Sequence, residues 1–269
     1  MKNVSRNKRT LIIVALCAVV FLAIGGKIFL DAIYVPAILM YHSVDRGGLE
    51  LKHYGGKLNV YPETFDRQMR FLRDHGYKVI PLEKMIELIK EGKRVPRKTV
   101  SITFDDGLEN NFTHAYPVLK KYGFPATIFV PTDFVGKEGY LNWDQIRLMS
   151  GDNISFGSHT MSQCWLPDLD TGELWRELAG SKRILEEKTG RGVKTLSYHM
   201  GGYNEKIKRV AEKAGYAGAV ATNPGRGQPA DDPYALKRLR ISMSSASPVV
   251  FWIQTSGYYT FIKEIRDED

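Results

Sequence analysis

Between residues 37 and 241 the chain switches repeatedly between two hydrophobic periods, and that alternation constrains its fold more than any other feature. Short apolar or β-branched runs at 37–41, 78–80, 100–104, 126–130, 154–157, 195–198, 217–221 and 239–241 predict strands. Between them lie helical patterns. One opens at Pro62, turns Phe65, Met69 and Leu72 to one side and ends near Gly76; others cover 82–89 and 112–122, the latter closed by Gly123. Asn142 and Asn204 read as caps of further helices, Leu174, Leu178 and Leu185 mark a long helix over 170–189, and Pro248 opens a last one through Thr255. Strand, helix and strand again return the chain in parallel, which makes the class α/β. In a chain of 269 residues the pattern predicts a distorted (β/α) barrel of parallel strands rather than an open doubly wound sheet. The loop carrying Gly47, Gly48, Gly55 and Gly56 and the tail from Ser256 show no periodic signal.

The polar exceptions stand where strands end. His42, Asp105-Asp106-Gly107, His159 and Tyr198-His199 each follow a predicted strand, and in a parallel barrel those ends share one rim, the face on which active sites are built. Two neighbouring carboxylates resist joint ionisation unless something positive sits between them, so the aspartates suit one metal ligand beside one proton acceptor. Taken singly, Asp-Gly is also a turn signal and each histidine reads equally as a satisfied core residue. Four strand ends carrying chemistry toward one rim are what favour a site.

Ahead of the globular part, Lys2, Arg6, Lys8 and Arg9 precede an uncharged apolar run from Leu11 to Gly26 that resumes after Lys27. With Lys27 snorkelling, the run suffices for a membrane span. No Ala-x-Ala-like cleavage site follows clearly, so in preference to a cleaved signal peptide we read residues 1–9 as a basic cytoplasmic segment, 10–30 as a transmembrane signal anchor and 36–269 as one domain, exported in either case. The net charge of +8 is spread along the chain without a nucleic-acid motif, so nucleic acid is not an expected partner. Cys17 lies inside the apolar run and Cys164 in the globular part, which rules out a disulfide between them.

Phe104-Asp105-Asp106-Gly107, Ser158-His159-Thr160 and Gly201-Gly202-Tyr203-Asn204 resemble the three motifs of the polysaccharide deacetylase family, the carbohydrate esterases with a NodB homology domain. Leu39-Met40-Tyr41-His42 resembles the subgroup whose C-terminal histidine motif is permuted to the N-terminus, which includes exported poly-N-acetylglucosamine deacetylases. The resemblance implies that residues 36–269 are a catalytic domain, in the cell envelope and attached to the membrane, that hydrolyses the N-acetyl groups of an N-acetylhexosamine polysaccharide. It implies Asp105 as general base, His42 as general acid, Asp106 and His159 as ligands of a divalent metal, zinc being the expectation, and the Met200 amide as oxyanion donor. Arg238 would hold the catalytic aspartate. Trp143, Trp165, Tyr198 and Tyr203 are candidates for stacking on sugar faces.

Two departures accompany the match. The family's second motif supplies a second histidine ligand four positions after the first, where this chain has Gln163, a weaker and neutral donor. Its third motif carries proline where this chain has His199. Gln163, His199 or Cys164 would have to complete the metal shell, since a catalytic zinc ordinarily keeps three protein ligands. The alternative is a non-catalytic glycan-binding or assembly protein on the same fold.

Overall fold

The computed structural model describes residues 2–47, 58–221 and 232–266; Gly48, Gly55 and Gly56 lie outside them. Two compact units divide the chain, Met1–Val35 and Pro36–Asp269. The first is a single helix, α1 (Lys2–Ala32). Its stretch Leu11–Ala32 has a mean hydropathy of 2.7, and 22 residues at 1.5 Å each give roughly 33 Å, enough for a ~30 Å hydrocarbon core.

The second unit is a curled parallel sheet wrapped by helices. In chain order it carries β1 (Ala37–Tyr41), β2 (Ser43–Val44), β3 (Asn59–Val60), α2 (Pro62–Asp74), β4 (Lys78–Val79), α3 (Leu82–Lys90) and β5 (Thr99–Phe104). There follow α4 (Tyr116–Tyr122), β6 (Ala126–Val130), α5 (Trp143–Ser150), β7 (Ile154–Ser158), α6 (Thr171–Trp175), α7 (Ser181–Thr189) and β8 (Thr195–Ser197). The unit ends with α8 (Glu205–Lys213), β9 (Gly218–Val220), β10 (Leu239–Arg240), α9 (Pro248–Thr255) and α10 (Tyr259–Arg266). The main path runs β10-β1-β5-β6-β7-β8-β9, with β4 also pairing β5, and every ladder in it is parallel.

The two ends of that path meet. Leu236 bridges Val220 beside β9, and three residues later Leu239 pairs with Leu39 of β1, so the segment 236–240 seams the barrel. The strands β1, β5 and β6 are buried along their whole length, as strands covered on both faces must be. Leu39, Phe104, Phe65, Leu72, Leu174, Leu178 and Leu196 form the core together with most of the inward helix positions. On β7, Gly157 is required by space: a Cβ there would lie 2.5 Å from the Phe129 ring and 2.6 Å from Thr195 Oγ1.

Caps and breakers fall where the sequence marks them. Asn142 and Asn204 accept from the amides of Gln145 and Ile207, and Gly123 closes α4 in the left-handed conformation at φ 66°. Two long helices differ from expectation, because π turns interrupt them at Asn111–Ala115 and Arg176–Gly180. The tail, uninformative as sequence, contains α10.

Candidate active site

The β5 strand ends at Phe104, and Asp105 N–H still donates to Tyr41 O at 2.9 Å, which fixes the first aspartate on the rim beside β1. Asp106 and Gly107 then take left-handed φ values of 70° and 59°. Among the described residues five non-glycine positions have such φ, and four of them, Asp106, Thr160, Gln163 and Met200, lie in the strand-end loops. Strained backbone of this kind costs about 1–3 kcal/mol per residue and collects where surrounding structure holds a site in place. Thr160, β-branched at φ 65°, is held by its N–H on Ser158 Oγ (3.1 Å) and by Gln163 N–H on its own Oγ1 (3.0 Å).

The rim separates the two carboxylates chemically. Asp105 is buried and receives both terminal nitrogens of Arg238, Nη1 to Oδ1 at 2.7 Å and Nη2 to Oδ2 at 2.6 Å. Arg238 spends its remaining donors on Thr103 Oγ1, Ser197 Oγ and Ala221 O, and its guanidinium lies 5.5 Å from the Phe129 ring centroid. This is the fork geometry in which arginine binds a carboxylate at two points. Asp106 faces the other way: its Oδ1 is 3.5 Å from His159 Nε2 and accepts from Gln163 Nε2 at 2.6 Å. His159 donates its Nδ1–H to Ser197 O at 2.9 Å, which aims Nε2 at Asp106, the orientation of an imidazole that would ligate a metal once Nε2 gives up its proton.

Burial would push both aspartates up, but neighbouring cations outweigh it. Arg238, His159 and His42 hold Asp105 far below the ordinary carboxylate value, and a hydrogen bond from His159 with the charges of His42 and His159 holds Asp106 down. For His159 burial is outweighed by the two aspartates, and its pKa rises; for His42 burial wins and its pKa falls. Depressed carboxylates bind fewer protons than the unfolded chain, so their stabilisation is complete above 3.8 and is lost as pH falls. In chelator, the melting temperature is therefore expected to drop on acidification below about pH 4, and the drop should be shallower in Asp105→Asn. A melting temperature unchanged between about pH 5 and pH 3 would contradict this pairing.

His42 is held by Asn111, whose amide nitrogen donates to His42 O at 2.8 Å, and its Nδ1 is buried without a hydrogen-bond partner. A carboxylate oxygen of Asp106 and one ring nitrogen each of His159 and His199 lie within 4.8 Å of one another, a group able to hold a metal ion. Cys164 is outside that group; it is half-buried against the core, and burial pushes its thiol up. Gln163 turns an amide nitrogen toward Asp106 in place of a ligand oxygen. Met200 sits at φ 53° in a short turn whose two bonds, Gly201 N–H to Tyr198 O and Gly202 N–H to His199 O, leave its own amide uninvolved.

The aromatic candidates divide. Tyr198 is fully buried, donates to Tyr234 O and stacks on Tyr203 at 5.2 Å, so it is a core residue and not a sugar platform. Tyr203 and Trp143 are half-buried against the same core. Trp165 is 44 % exposed and lies against Gly202, where an added Cβ would come within 2.5 Å of its ring.

Sequence reading missed Glu177. It is 5 % exposed and accepts from Met161 N–H, Ser162 N–H and Ser162 Oγ at 2.8–3.0 Å, so a carboxylate on the second π turn anchors the loop between His159 and Gln163. Its spacing three residues after the inward Leu174 was the available signal. Glu177→Ala strands those donors and is expected to cost about 1–3 kcal/mol of stability, with Glu177→Gln in between. Denaturant unfolding of both variants checks the order, and equal stability of all three proteins would refute the anchoring role.

Comparison with known proteins follows the same lines. The family model described as polysaccharide deacetylase matches residues 92–219. The protein named "Putative polysaccharide deacetylase YxkH" of Bacillus subtilis (strain 168) is 36% identical over 205 residues, covering 76% of this chain and 71% of its own. The poly-beta-1,6-N-acetyl-D-glucosamine N-deacetylase of Staphylococcus aureus (strain MRSA252) is 29% identical over 207 residues, 72% of this chain and 70% of that one. Among solved structures, the Streptococcus pyogenes deacetylase PplD in complex with acetate superposes with a TM-score of 0.74 at 28% identity, over 82% of this chain and 98% of that one.

Proposed function

We propose that this chain, which belongs to the polysaccharide deacetylase family, removes acetyl groups from N-acetylhexosamine units of an extracytoplasmic polysaccharide. The observation that carries the reading is the separation of the two rim aspartates, one clamped by Arg238 and one turned to His159 and Gln163. Asp106 and His159 would hold a divalent cation, zinc by expectation, whose chemistry when bound is to polarise a carbonyl and acidify a water. Their donor set fits such an ion, since one imidazole is already oriented through its Nδ1–H and a carboxylate oxygen stands 3.5 Å from its other nitrogen.

Asp105, ionised and immobilised, takes the proton of the attacking water. His42 delivers a proton to the nitrogen as the C–N bond breaks, so acetate and a free amine leave. The Met200 amide, in the third-motif turn, would donate to the developing oxyanion. Similarity to the staphylococcal enzyme points to a β-1,6-linked N-acetylglucosamine polymer as first substrate to try, with Trp165 as its exposed stacking surface. In this reading α1 anchors the chain, the basic residues 2–9 stay in the cytoplasm, and residues 36–269 face outward.

One contact favours the rival reading, a glycan-binding protein without catalysis: Gln163 Nε2 already occupies Asp106 Oδ1 at 2.6 Å. Full-length protein in detergent, given an acetylated β-1,6-glucosamine oligomer and zinc, separates the two. Deacetylation yields acetate and free amines in equal amounts. Oligomer binding with no acetate would establish the rival.

A further inference from the structure

We propose that His199 is the third protein ligand of the cation site and that Gln163 has become the hydrogen-bond donor that orients Asp106. The inference rests on the deacetylase reading above and concerns which residues complete its metal shell. Two donors on one zinc, each at about 2.0–2.1 Å, stand about 3.3 Å apart in a tetrahedron. Asp106 Oδ1 and His159 Nε2 are 3.5 Å apart, already at that spacing. A nitrogen of His199 joins them within 4.8 Å, and the two imidazole rings lie 5.4 Å apart at 66°, edge to face, so neither blocks the other. His199 is half-buried on the rim turn, and in the liganded arrangement its ring would stand closer to the other two donors than it does here.

The same geometry removes the competing donors. Gln163 presents Nε2, a donor, to Asp106 Oδ1 at 2.6 Å. Its backbone is pinned at φ 58° by its own N–H on Thr160 Oγ1, and Glu177 holds the two residues before it. An amide so placed fixes the orientation of the ligating carboxylate by donating to it, without itself binding the ion. Cys164, the other candidate, lies outside the cluster among the described residues. One imidazole is therefore absent from the second loop and one is gained on the third, with the two changes converging on the same carboxylate. The resulting set, two imidazoles and one carboxylate, leaves a position open, as catalytic zinc sites do.

The test is cation binding by metal-stripped full-length protein in detergent, using zinc competition against a chromophoric chelator and the visible spectrum of cobalt(II). Wild type is expected to take one equivalent with the intense bands of a four-coordinate site. His199→Ala should lose those bands and weaken zinc binding by about 100-fold or more, beyond what removal of an outer-shell group causes. Gln163→Ala should keep the bands and weaken binding by about 10–100-fold. The double variant His199→Ala/Gln163→His should regain tight binding, which also shows that the His199 change leaves the fold intact. If wild type binds cobalt and zinc while His199→Ala matches it in affinity and spectrum, the assignment of His199 is overturned and the deacetylase reading stands. If wild type takes neither ion, the metal-dependent reading itself falls.

Discussion

Asp105→Asn, assayed in the full-length protein with a saturating acetylated oligomer, is expected to lower kcat by roughly 10²–10⁴-fold, the range a positioned general base supplies. The substitution keeps the shape of the side chain but removes its capacity to accept a proton, and with the charge it also removes one arm of the Arg238 fork, so the variant's folding is checked by its melting temperature beside the assay. KM should change little, because Asp105 is only 2 % exposed at the rim and its oxygens are engaged by Arg238 and Ser197. Metal affinity should also survive, since Asp106 and the two imidazoles are untouched. An Asp105→Asn protein that releases acetate at the wild-type rate would place the base elsewhere. One that loses cation binding as well would mean that Asp105 belongs to the metal shell.

Arg238→Met carries the largest expected effect on stability. The arginine side chain is fully buried, and its five N–H groups go to Asp105 twice, Thr103, Ser197 and Ala221. Removing it leaves the Asp105 carboxylate buried without its counter-charge, which typically costs about 3–5 kcal/mol. It also frees Asp105 from the charge that opposes the effect of burial, so its pKa should rise. Arg238→Met/Asp105→Asn should lose less stability than the sum of the single variants, because the second change removes the stranded charge. Denaturant unfolding of the four proteins measures that coupling. Additive losses would show that the pair is spectators packed side by side.

The seam explains why Arg238 was legible only through resemblance. It lies on the segment between Leu236, which bridges β9, and Leu239, which pairs with β1, and is 133 residues from Asp105 in sequence. No local period announces a contact at that range. The strands and caps were legible because their causes are local: Asn142 and Asn204 cap through their own side chains, and Gly123 ends α4 by its positive φ. The π turns were not, since the Leu174, Leu178 and Leu185 spacing is satisfied by a continuous helix while the inserted turn brings Glu177 against the His159 loop. Tyr198 was read as a rim residue because it follows a strand. Its hydroxyl instead reaches Tyr234 O under the third-motif turn, which shows that strand-end position fixes the rim and not the direction of each side chain.

Among the site residues, the aspartates and His159 were legible because charge at the end of a buried strand needs a compensating partner. The relation between Gln163 and His199 was visible only as two departures from a pattern. What joins them is Asp106, whose Oδ1 accepts from Gln163 Nε2 and whose carboxylate lies within 4.8 Å of a His199 nitrogen, and a distance across two loops is not written in either loop alone.

The most direct measurement of the central claim is acetate release from an acetylated β-1,6-glucosamine oligomer by metal-stripped full-length protein, before and after addition of one equivalent of zinc. The account predicts negligible release when stripped and multiple turnovers once zinc is restored, with one free amine appearing per acetate. Oligomer binding with no acetate in either state, at one full equivalent of bound zinc, would contradict it.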